Sequence, residues 1–436
     1  MKIIHLCGGS LNSGATLGAT ALHKALLKQG IDSKLIFSKG DKSEGVPMAE
    51  PFFESQLAQK LFNISTKWIE PHLLKRESAP KGHGLSIGIV GHPLFVRKAD
   101  IEAADIIHLH WINSRFIRTK AIQQFNKPIV WTLRDAWPYT GGCHYTTDCE
   151  RYKTGCGQCP LLESSNPDDI TRKVVRAKKK YLPTDIRYIA LSNWTAEQAR
   201  ESFLLKEQSV QVILNSIDET FLTPATCSKQ AAREVFHLPT GKTLILAGAA
   251  KLDSKYKGYS DILPKLPNQN DCHLVTFGRI SDELKSQIKL PATHLGTIAS
   301  PEKLKQLYRA ADIFIAPSTQ EAFGKTLAEA GASGLPVICY DIGGPKDIVV
   351  DGVTGYRAPR NDSDMFIKRT LELAENPEAR QTIGKAAIQR TQSLFSPTTV
   401  AQQHITLYHQ LLSPSSTSEG KMADPSHPSA STTVQP

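Results

Sequence analysis

The most informative stretch of the chain is "ADIFIAPSTQEAFGKTLAEAGASGLPVICYDIGGPKDIV", residues 311–349. It predicts a buried strand that ends at Pro317, a loop that carries Glu321, and a helix that begins near Gly324 and carries Glu329. On a helix, eight positions span about 12 Å along the axis, so the two carboxylates suit the two ends of one extended ligand. A pair of incidental glutamates on a solvated helix face is the alternative interpretation.

The start of this predicted helix has the character of an anion site. The free backbone N–H groups around Phe323, Gly324 and Lys325 point out of a helix N-terminus, where they favour a phosphate. A similar feature follows the first predicted strand, where "CGGSLNSGAT" (7–16) places Gly9 and Gly14 before a helix. Glycines let a backbone approach a ligand closely, although a plain tight turn explains this second stretch equally well.

Outside these stretches, short apolar runs alternate with longer helical patterns along most of the chain. The runs are rich in Ile, Leu and Val and alternate little with polar residues, which is typical of parallel strands covered on both faces. Turn residues near "VILNSIDETFLTP" (212–224) separate them into two series, so we predict an α/β fold with two sheets. The predicted strands are 2–7, 34–37, 105–110, 128–133, 186–191 and 210–214, followed by 243–247, 273–277, 312–316 and 335–340.

The composition argues against an integral membrane protein. The chain has 436 residues, of which 40% are hydrophobic and 22% charged, and no apolar run approaches the ~18 residues that a bilayer requires. The start "MKIIHLCGGS" is typical of a first strand and not of a secretory signal, so we expect a cytoplasmic protein. After about residue 412, a bias toward Ser, Pro and Thr predicts a disordered tail over 414–436.

The net charge of +10 indicates an anionic partner. The densest basic stretch is "TRKVVRAKKKY", within which 172–180 carries six Lys and Arg residues. A solvated helix face, a footprint on the anionic lipid of an inner leaflet, and a nucleic-acid site are the three interpretations. We do not expect nucleic acid, because no aromatic residues are interleaved with the basic ones and no nucleic-acid motif is present.

Several motifs in their order along the chain resemble glycosyltransferase family 4. They are "YIALSNW" (188–194), "VILNSID" (212–218), "LYRAADIFIAPS" (307–318), "EAFGKTLAE" (321–329), "GLPVICYDIGGPKDIV" (334–349) and "DGVTGYRAP" (351–359). The resemblance implies a GT-B fold, in which two Rossmann-like doubly wound domains face each other across a cleft. It implies domains over 1–214, on the acceptor side, and 215–395, which binds the nucleotide sugar, with a helix over 396–413 that returns to the first domain.

The same resemblance implies a function. Family members are retaining enzymes that use a nucleotide-diphosphate sugar, and no metal is required for the reaction. "WTLRDAWPYTGGCHY" (131–145) resembles a subgroup from bacterial exopolysaccharide synthesis of the colanic-acid type. That subgroup implies a lipid-linked saccharide as acceptor and a peripheral position at the inner membrane. A nucleotide-sugar epimerase of similar fold and a degenerate nucleotide-sugar-binding scaffold are the alternatives.

The resemblance also assigns roles on the donor side. Glu329 would bind the ribose, Glu321 would lie beside the donor sugar, and Lys257 in "KYKG" would reach the diphosphate. Asn215 in "VILNSID" would line the donor site as well. The residue types fit these roles, because a carboxylate accepts hydrogen bonds from a vicinal diol and an ammonium stabilises developing negative charge.

Two positions depart from the family pattern. Ala249 follows Gly248 where an arginine is usual, which makes Lys251 or Lys255 the expected substitute at the diphosphate. Arg134 stands where many relatives have a histidine, at the end of the strand before the acceptor cleft. A guanidinium cannot act as a base near neutral pH, so Arg134 can contribute only a fixed positive charge.

The last stretch of interest is "WTLRDAWPYTGGCHYTTDCERYKTGCGQCP", residues 131–160. We expect Arg134, Asp135 and His144 to point into the cleft and to take part in catalysis. The segment 143–159, which we call the cysteine loop, suits a structural zinc ion, free or partly disulfide-linked thiols, or redox chemistry. Its four thiols, Cys143, Cys149, Cys156 and Cys159, include one CxxC pair.

Overall fold

The computed structural model describes residues 1–11, 14–39, 46–66, 69, 72, 84–113, 115–224 and 226–413. Two parallel sheets organise them. The first has the order β3-β2-β1-β4-β5-β6-β7 and the second the order β10-β9-β8-β11-β12-β13. The strands are β1 Lys2–Ser10, β2 Asp32–Lys39, β3 Ala49–Pro51, β4 Ile106–Leu109, β5 Ile129–Leu133, β6 Arg187–Ala190, β7 Val210–Val212, β8 Thr243–Lys251, β9 Cys272–Arg279, β10 Ala292–His294, β11 Ile313–Ala316, β12 Val337–Tyr340 and β13 Gly355–Ala358.

Every strand pair is parallel, and in each sheet the strand order reverses once. The reversal falls between β1 and β4 in the first sheet and between β8 and β11 in the second. At such a point the loops after the strands diverge and leave a crevice, which is where ligands bind in open α/β sheets. The predicted α/β fold with two doubly wound sheets is confirmed.

The ten predicted strands all appear, and three further strands do not correspond to any prediction. These are β3, β10 and β13, each of which lies at an edge of its sheet and spans only three or four residues. An edge strand is paired on one side only, so its sequence is short and less apolar than that of a central strand. The hydrophobic pattern that reveals the central strands is therefore absent from these three.

Helices flank both sheets, and the last one packs against the first sheet. It places Ala401, Ile405 and Tyr408 in one buried cluster with Ile3 of β1 and Ile106 of β4. The tail over 414–436 lies outside the described residues. The α-helices are Gly14–Lys28, Gln56–Thr66, Lys98–Ala103, Ile170–Tyr181, Asn193–Glu201, Lys229–Val235, Tyr259–Ile262, Asp282–Gln287, Pro301–Ala310, Lys325–Ala332, Pro345–Ile348, Ser363–Glu375, Pro377–Phe395 and Pro397–Leu412.

None of the helices in the described ranges combines the length and the apolar character that crossing a bilayer requires. The basic stretch forms the helix Ile170–Tyr181, which begins where Asp169 accepts hydrogen bonds from two backbone N–H groups. One basic residue does not belong to the surface. Lys178 lies on the apolar side of this helix, where it is fully buried over the Trp137 ring and donates to the carbonyl oxygens of Trp137 and Thr140. The basic residues of the helix that remain exposed are Lys173, Arg176, Lys179 and Lys180.

Candidate active site

The loop between β11 and the helix Lys325–Ala332 holds Glu321 at the edge of the crevice. Its carboxylate accepts a hydrogen bond from the Lys257 ammonium. Burial would lower the pKa of Lys257, but the neighbouring Glu321 charge outweighs it and the pKa is raised. The glycines Gly343 and Gly344 pack directly against the loop backbone, and the Gly344 N–H donates to the Glu321 carbonyl oxygen at 2.8 Å. The backbone that carries Glu321 is therefore fixed by a neighbouring loop that tolerates no side chain there.

The helix after this loop starts at Gly324, whose φ of 100° is in the left-handed region that favours glycine. Phe323 is buried and packs its ring on Phe395, 5.4 Å between centroids. Its ring is therefore not available to a ligand, and the contact between a phosphate and the backbone around Phe323, Gly324 and Lys325 stays a prediction.

Glu329 lies one turn further along and is only 3% exposed. Lys325 pairs with one of its carboxylate oxygens at 3.2 Å, and the Tyr308 hydroxyl donates to the other at 3.3 Å. Burial raises the pKa of Glu329. The helix thus holds Glu329 buried between Lys325 and Tyr308, outside the set of residues that lines the cavity with Glu321.

Arg134 faces this region from the first sheet, directly after β5. Its Nη1 donates to the Asn215 side-chain oxygen at 3.0 Å, and its Nη2 lies 3.4 Å from Nδ1 of His110. Burial lowers the pKa of Arg134 to about 10, so the side chain stays charged at neutral pH. A side chain on Gly18 would collide with the guanidinium, with the added carbon 2.3 Å from Nη1. Asn215, predicted on the donor side, therefore helps to orient Arg134.

Asp135, His144 and Ser86 form a hydrogen-bonded relay, and the sequence analysis did not predict the part of Ser86. Oδ2 of Asp135 lies 2.9 Å from Nδ1 of His144, and Nε2 of the same ring lies 2.9 Å from the Ser86 hydroxyl. Asp135 also accepts hydrogen bonds from Trp111 Nε1 at 2.6 Å and from Asn113 Nδ2 at 2.9 Å. Both nitrogens of His144 are engaged, so neither is available to take a proton from a substrate in this arrangement.

Four histidines form a buried cluster next to Arg134, and no sequence motif predicted this cluster. His5 belongs to β1, His108 to β4 and His404 to the last helix, and His110 directly follows β4. His5 Nδ1 lies 2.9 Å from His110 Nε2, and His108 contacts the Tyr408 hydroxyl at 2.7 Å. Burial lowers the pKa of each of the four, to about 4 for His404. They are therefore neutral near pH 7, and His110 can accept a hydrogen bond from Arg134.

The residues predicted for catalysis meet at one cavity of about 80 Å³. From the first sheet it is lined by Arg134, Asp135 and His144, and from the second by Glu321. The remaining predicted residues lie around this centre. Gly9 is the penultimate residue of β1, and Gly14 is the first residue of the helix that follows this strand. Lys251 is the last residue of β8 and is exposed.

The cysteine loop covers one side of the crevice. Its four thiols are free, but no three of the four sulfur atoms lie within 4.8 Å of one another. Within the described ranges, the one group of potential metal ligands that converges so closely is His5, His108 and His110. A hydrogen bond from Cys143 lowers the pKa of Cys159 to about 7, whereas burial raises that of Cys156 to about 11. Zinc binding by the loop stays a prediction.

Comparison with known proteins agrees with this architecture. Residues 228–390 match the family model described as glycosyl transferases group 1. The putative colanic acid biosynthesis glycosyl transferase WcaC of Escherichia coli (strain K12) is 24% identical over 326 residues, which cover 70% of this chain and 76% of the relative. A D-inositol 3-phosphate glycosyltransferase of Nocardia farcinica is 26% identical over 270 residues, with 58% of this chain and 54% of the relative covered.

Solved structures extend the likeness to almost the whole chain. Sucrose-phosphate synthase from Thermosynechococcus elongatus superposes with a TM-score of 0.67 at 20% identity and covers 94% of this chain and 99% of its own. Anabaena Alr3699/HepE in complex with UDP and glucose gives a TM-score of 0.65 at 18% identity, with 94% and 100% covered. These similarities confirm the GT-B fold that the sequence predicts.

Proposed function

We propose that this chain, whose residues 228–390 match the model of glycosyl transferases group 1, is a nucleotide-sugar-dependent glycosyltransferase that transfers sugar with retention of configuration. The donor is a UDP- or GDP-sugar and the acceptor a lipid-linked saccharide of bacterial exopolysaccharide or surface polysaccharide synthesis. The name of the WcaC relative supports this pathway class. Structures of Anabaena HepE with UDP and with UDP-glucose make a UDP-sugar the first donor to test.

One observation carries the proposal: the ion pair of Glu321 with Lys257 and the buried guanidinium of Arg134 border the same crevice. In this position Lys257 and Arg134 provide two cations from opposite walls for the diphosphate of a donor. The backbone N–H groups at the start of the helix Lys325–Ala332 add fixed donors nearby. The carboxylate of Glu329 is assigned to the ribose hydroxyls, with Lys325 moving aside.

The reaction then depends on stabilising charge at the leaving group. As the bond from the anomeric carbon to the phosphate breaks, the sugar becomes oxocarbenium-like and negative charge grows on the diphosphate. Preorganised cations stabilise this charge more in the transition state than in the ground state. Glu321 is assigned to the sugar side, where its negative charge offsets the developing positive charge.

The acceptor proton needs a destination. Arg134 remains protonated at neutral pH, and His144 has both nitrogens engaged. We therefore assign the proton to the departing phosphate oxygen, which lies on the same face as the incoming hydroxyl in a retaining reaction. The relay through Asp135 and Ser86 is assigned to holding the wall of the crevice in place.

The test uses purified full-length protein with UDP-glucose and with GDP-mannose, both of which carry an α-linked sugar. We expect slow release of the nucleoside diphosphate, with the α-anomer as the first free sugar seen by NMR, and a large loss of release in Glu321→Gln. Release of the β-anomer would contradict retention. Interconversion of the donor sugar without nucleotide release would indicate an epimerase, and binding without turnover a scaffold.

Peripheral membrane attachment is part of the proposal. The four exposed basic residues of the helix Ile170–Tyr181 form a positive surface, and such a surface attracts anionic lipid headgroups. Lys178 is excluded, because it is buried against Trp137. Sedimentation with phosphatidylglycerol vesicles at low and high salt tests this attachment, which should weaken as salt increases.

A further inference from the structure

We infer that a second, larger cavity next to the reaction centre binds an acidic sugar unit of the acceptor. The inference rests on the proposed function insofar as it calls the ligand an acceptor. The cavity has a volume of about 470 Å³, enough for one or two sugar rings. One wall is formed by the cysteine loop and the other by loops of the second sheet, so a ligand there contacts both sheets.

The cavity connects directly to the reaction centre. Tyr145 and Gln320 line both cavities, and Gln320 is the neighbour of Glu321 in the chain. Gln320 accepts a hydrogen bond from the Thr147 N–H at 3.1 Å and donates to the Thr146 hydroxyl at 3.3 Å. These hydrogen bonds join the cysteine loop to the loop that carries Glu321, at a residue that lines both cavities. A sugar in the larger cavity can therefore present a hydroxyl to the smaller one.

Two tyrosines give the cavity the character of a sugar site. The rings of Tyr145 and Tyr256 lie 4.9 Å apart between centroids at 31°, and Tyr145 is 44% exposed. Aromatic faces pack against the C–H faces of sugar rings, while their hydroxyl groups remain at the polar rim. The Tyr256 hydroxyl has no hydrogen-bond partner among the residues that the structure describes, and neither does the Asn361 side chain. Both are free to bind sugar hydroxyls.

The charges that line the cavity favour a negatively charged ligand. Its cations are Lys255 and Arg360, and its single carboxylate, Asp148, is paired with Arg360 across the crevice. Lys255 is exposed and has no ion-pair or hydrogen-bond partner for its side chain within the described part of the chain. An unpaired ammonium next to aromatic faces fits a sugar that carries a carboxylate or a phosphate.

The segment Lys255–Lys257 separates this ligand from the donor. Lys257 pairs with Glu321, whereas Lys255 and Tyr256, in the same single turn of helix, line the larger cavity. Gly258 ends the turn with a φ of 69°, and a side chain there would collide with the Pro317 carbonyl oxygen. The turn is therefore held against the end of β11 and presents consecutive residues to two different ligands.

Saturation-transfer NMR on the full-length protein without nucleotide sugar tests the inference. The probes are methyl β-D-glucuronide for a carboxylate, glucose 1-phosphate for a phosphate, and methyl β-D-glucoside as the neutral control. We expect at least one acidic probe to give a signal about two- to fivefold stronger than the neutral one, as an exposed ion pair implies. The stronger of the two acidic probes identifies whether the acceptor charge is a uronate or a phosphate.

The variants assign the signal to this cavity. Lys255→Gln should remove the preference for acidic probes, while the matched change Lys289→Gln, at an exposed lysine that does not line the cavity, should not. Tyr256→Ala should abolish the signal of every probe and Tyr256→Phe should retain it, which separates loss of the ring from loss of folding. Signals that persist in Tyr256→Ala, that show no preference for acidic probes in wild type, or that UDP displaces would overturn the inference.

The outcome is independent of the proposed function. Nucleotide release from UDP-glucose and from GDP-mannose, measured on the same preparations, reports the transferase activity. A protein that shows the predicted probe pattern but releases no nucleotide from any donor contradicts the proposed function and leaves the acidic-sugar site standing. A protein that releases nucleotide but binds none of the three probes contradicts the acidic-sugar site and leaves the proposed function standing.

Discussion

Replacing Arg134 by methionine distinguishes a catalytic arginine from a structural one, because the two roles predict opposite changes in stability. The guanidinium is buried at the cavity, and its Nε has no hydrogen-bond partner in the described part of the chain. Burial lowers the pKa of Arg134 from its ordinary value of 12.5 to about 10. This lower pKa corresponds to roughly 3 kcal/mol that opposes burying the charge.

Methionine removes this unfavourable term and fills similar space with a flexible apolar chain. The change also leaves the Asn215 side-chain oxygen without its donor, which costs about 1–3 kcal/mol. Together these two terms predict that the free energy of unfolding of Arg134→Met lies between that of wild type and a value about 2 kcal/mol higher. An arginine whose main task is to pair with a neighbouring carboxylate would give the reverse, a loss of about 3–5 kcal/mol, because its partner would stay buried and unpaired.

The same variant should lose most of its activity. Removing one preorganised donor from a developing negative charge lowers turnover by about a hundredfold, which corresponds to about 2.7 kcal/mol. We expect Arg134→Lys to recover part of this loss through its charge, and Arg134→His to recover less at pH 8 than at pH 6, where more of the imidazole is protonated.

Two measurements on the same preparations decide the matter: urea unfolding followed by circular dichroism, and nucleotide release with the donor that stabilises wild type most. Turnover within about twofold of wild type would show that Arg134 has no catalytic part, since the expected loss is about a hundredfold. A loss of stability of several kcal/mol with little loss of turnover would refute the reasoning on both counts.

Three further predictions concern other parts of the molecule. Glu329→Ala should chiefly raise the KM for the donor and Glu321→Gln should chiefly lower kcat, because one carboxylate is assigned to the ribose and the other to the reacting sugar; equal effects of both changes on both parameters would defeat the assignment. Elemental analysis of protein purified without affinity metal should find about one zinc per chain in the cysteine loop, and metal-free, fully reduced, active protein would exclude the site. The folded-state pKa of His404, about 4, lies below its value of ~6.5 in the unfolded chain, so the unfolded state binds more protons between these values. The free energy of unfolding should therefore fall as the pH drops from 6.5 to 4, by up to about 3 kcal/mol. Urea unfolding at several pH values should show a shallower dependence for His404→Leu, and identical slopes would argue against a neutral buried imidazole.

The central strands and the position of the carboxylate motif could be predicted from the sequence because their signals are local. A strand covered on both faces needs a continuous apolar run, and such runs mark the ten predicted strands directly. The spacing of Glu321 and Glu329 is likewise a property of adjacent residues in one loop and one helix. Three of the four edge strands, β3, β10 and β13, lack this signal, whereas the fourth, β7, retains an apolar run and was predicted.

Other features depend on which distant segments meet, and no local pattern reveals them. Lys178 lies in a run of basic residues that predicts a solvated surface, yet its position on the helix turns it onto Trp137 and buries it. Ser86 has no motif of its own and becomes part of the relay only because its segment packs beside His144.

The fold class, the family resemblance and the residue types at the crevice could be predicted from the chain alone, since they depend on composition, periodicity and short spacings. What these residues do at the crevice depends on tertiary contacts. These contacts turn Asn215 toward Arg134, engage both nitrogens of His144, and set four neutral histidines next to the guanidinium. The physical reason is that the burial and hydrogen bonding of a polar group, and hence its charge, depend on neighbours that are close in space and far apart in the chain.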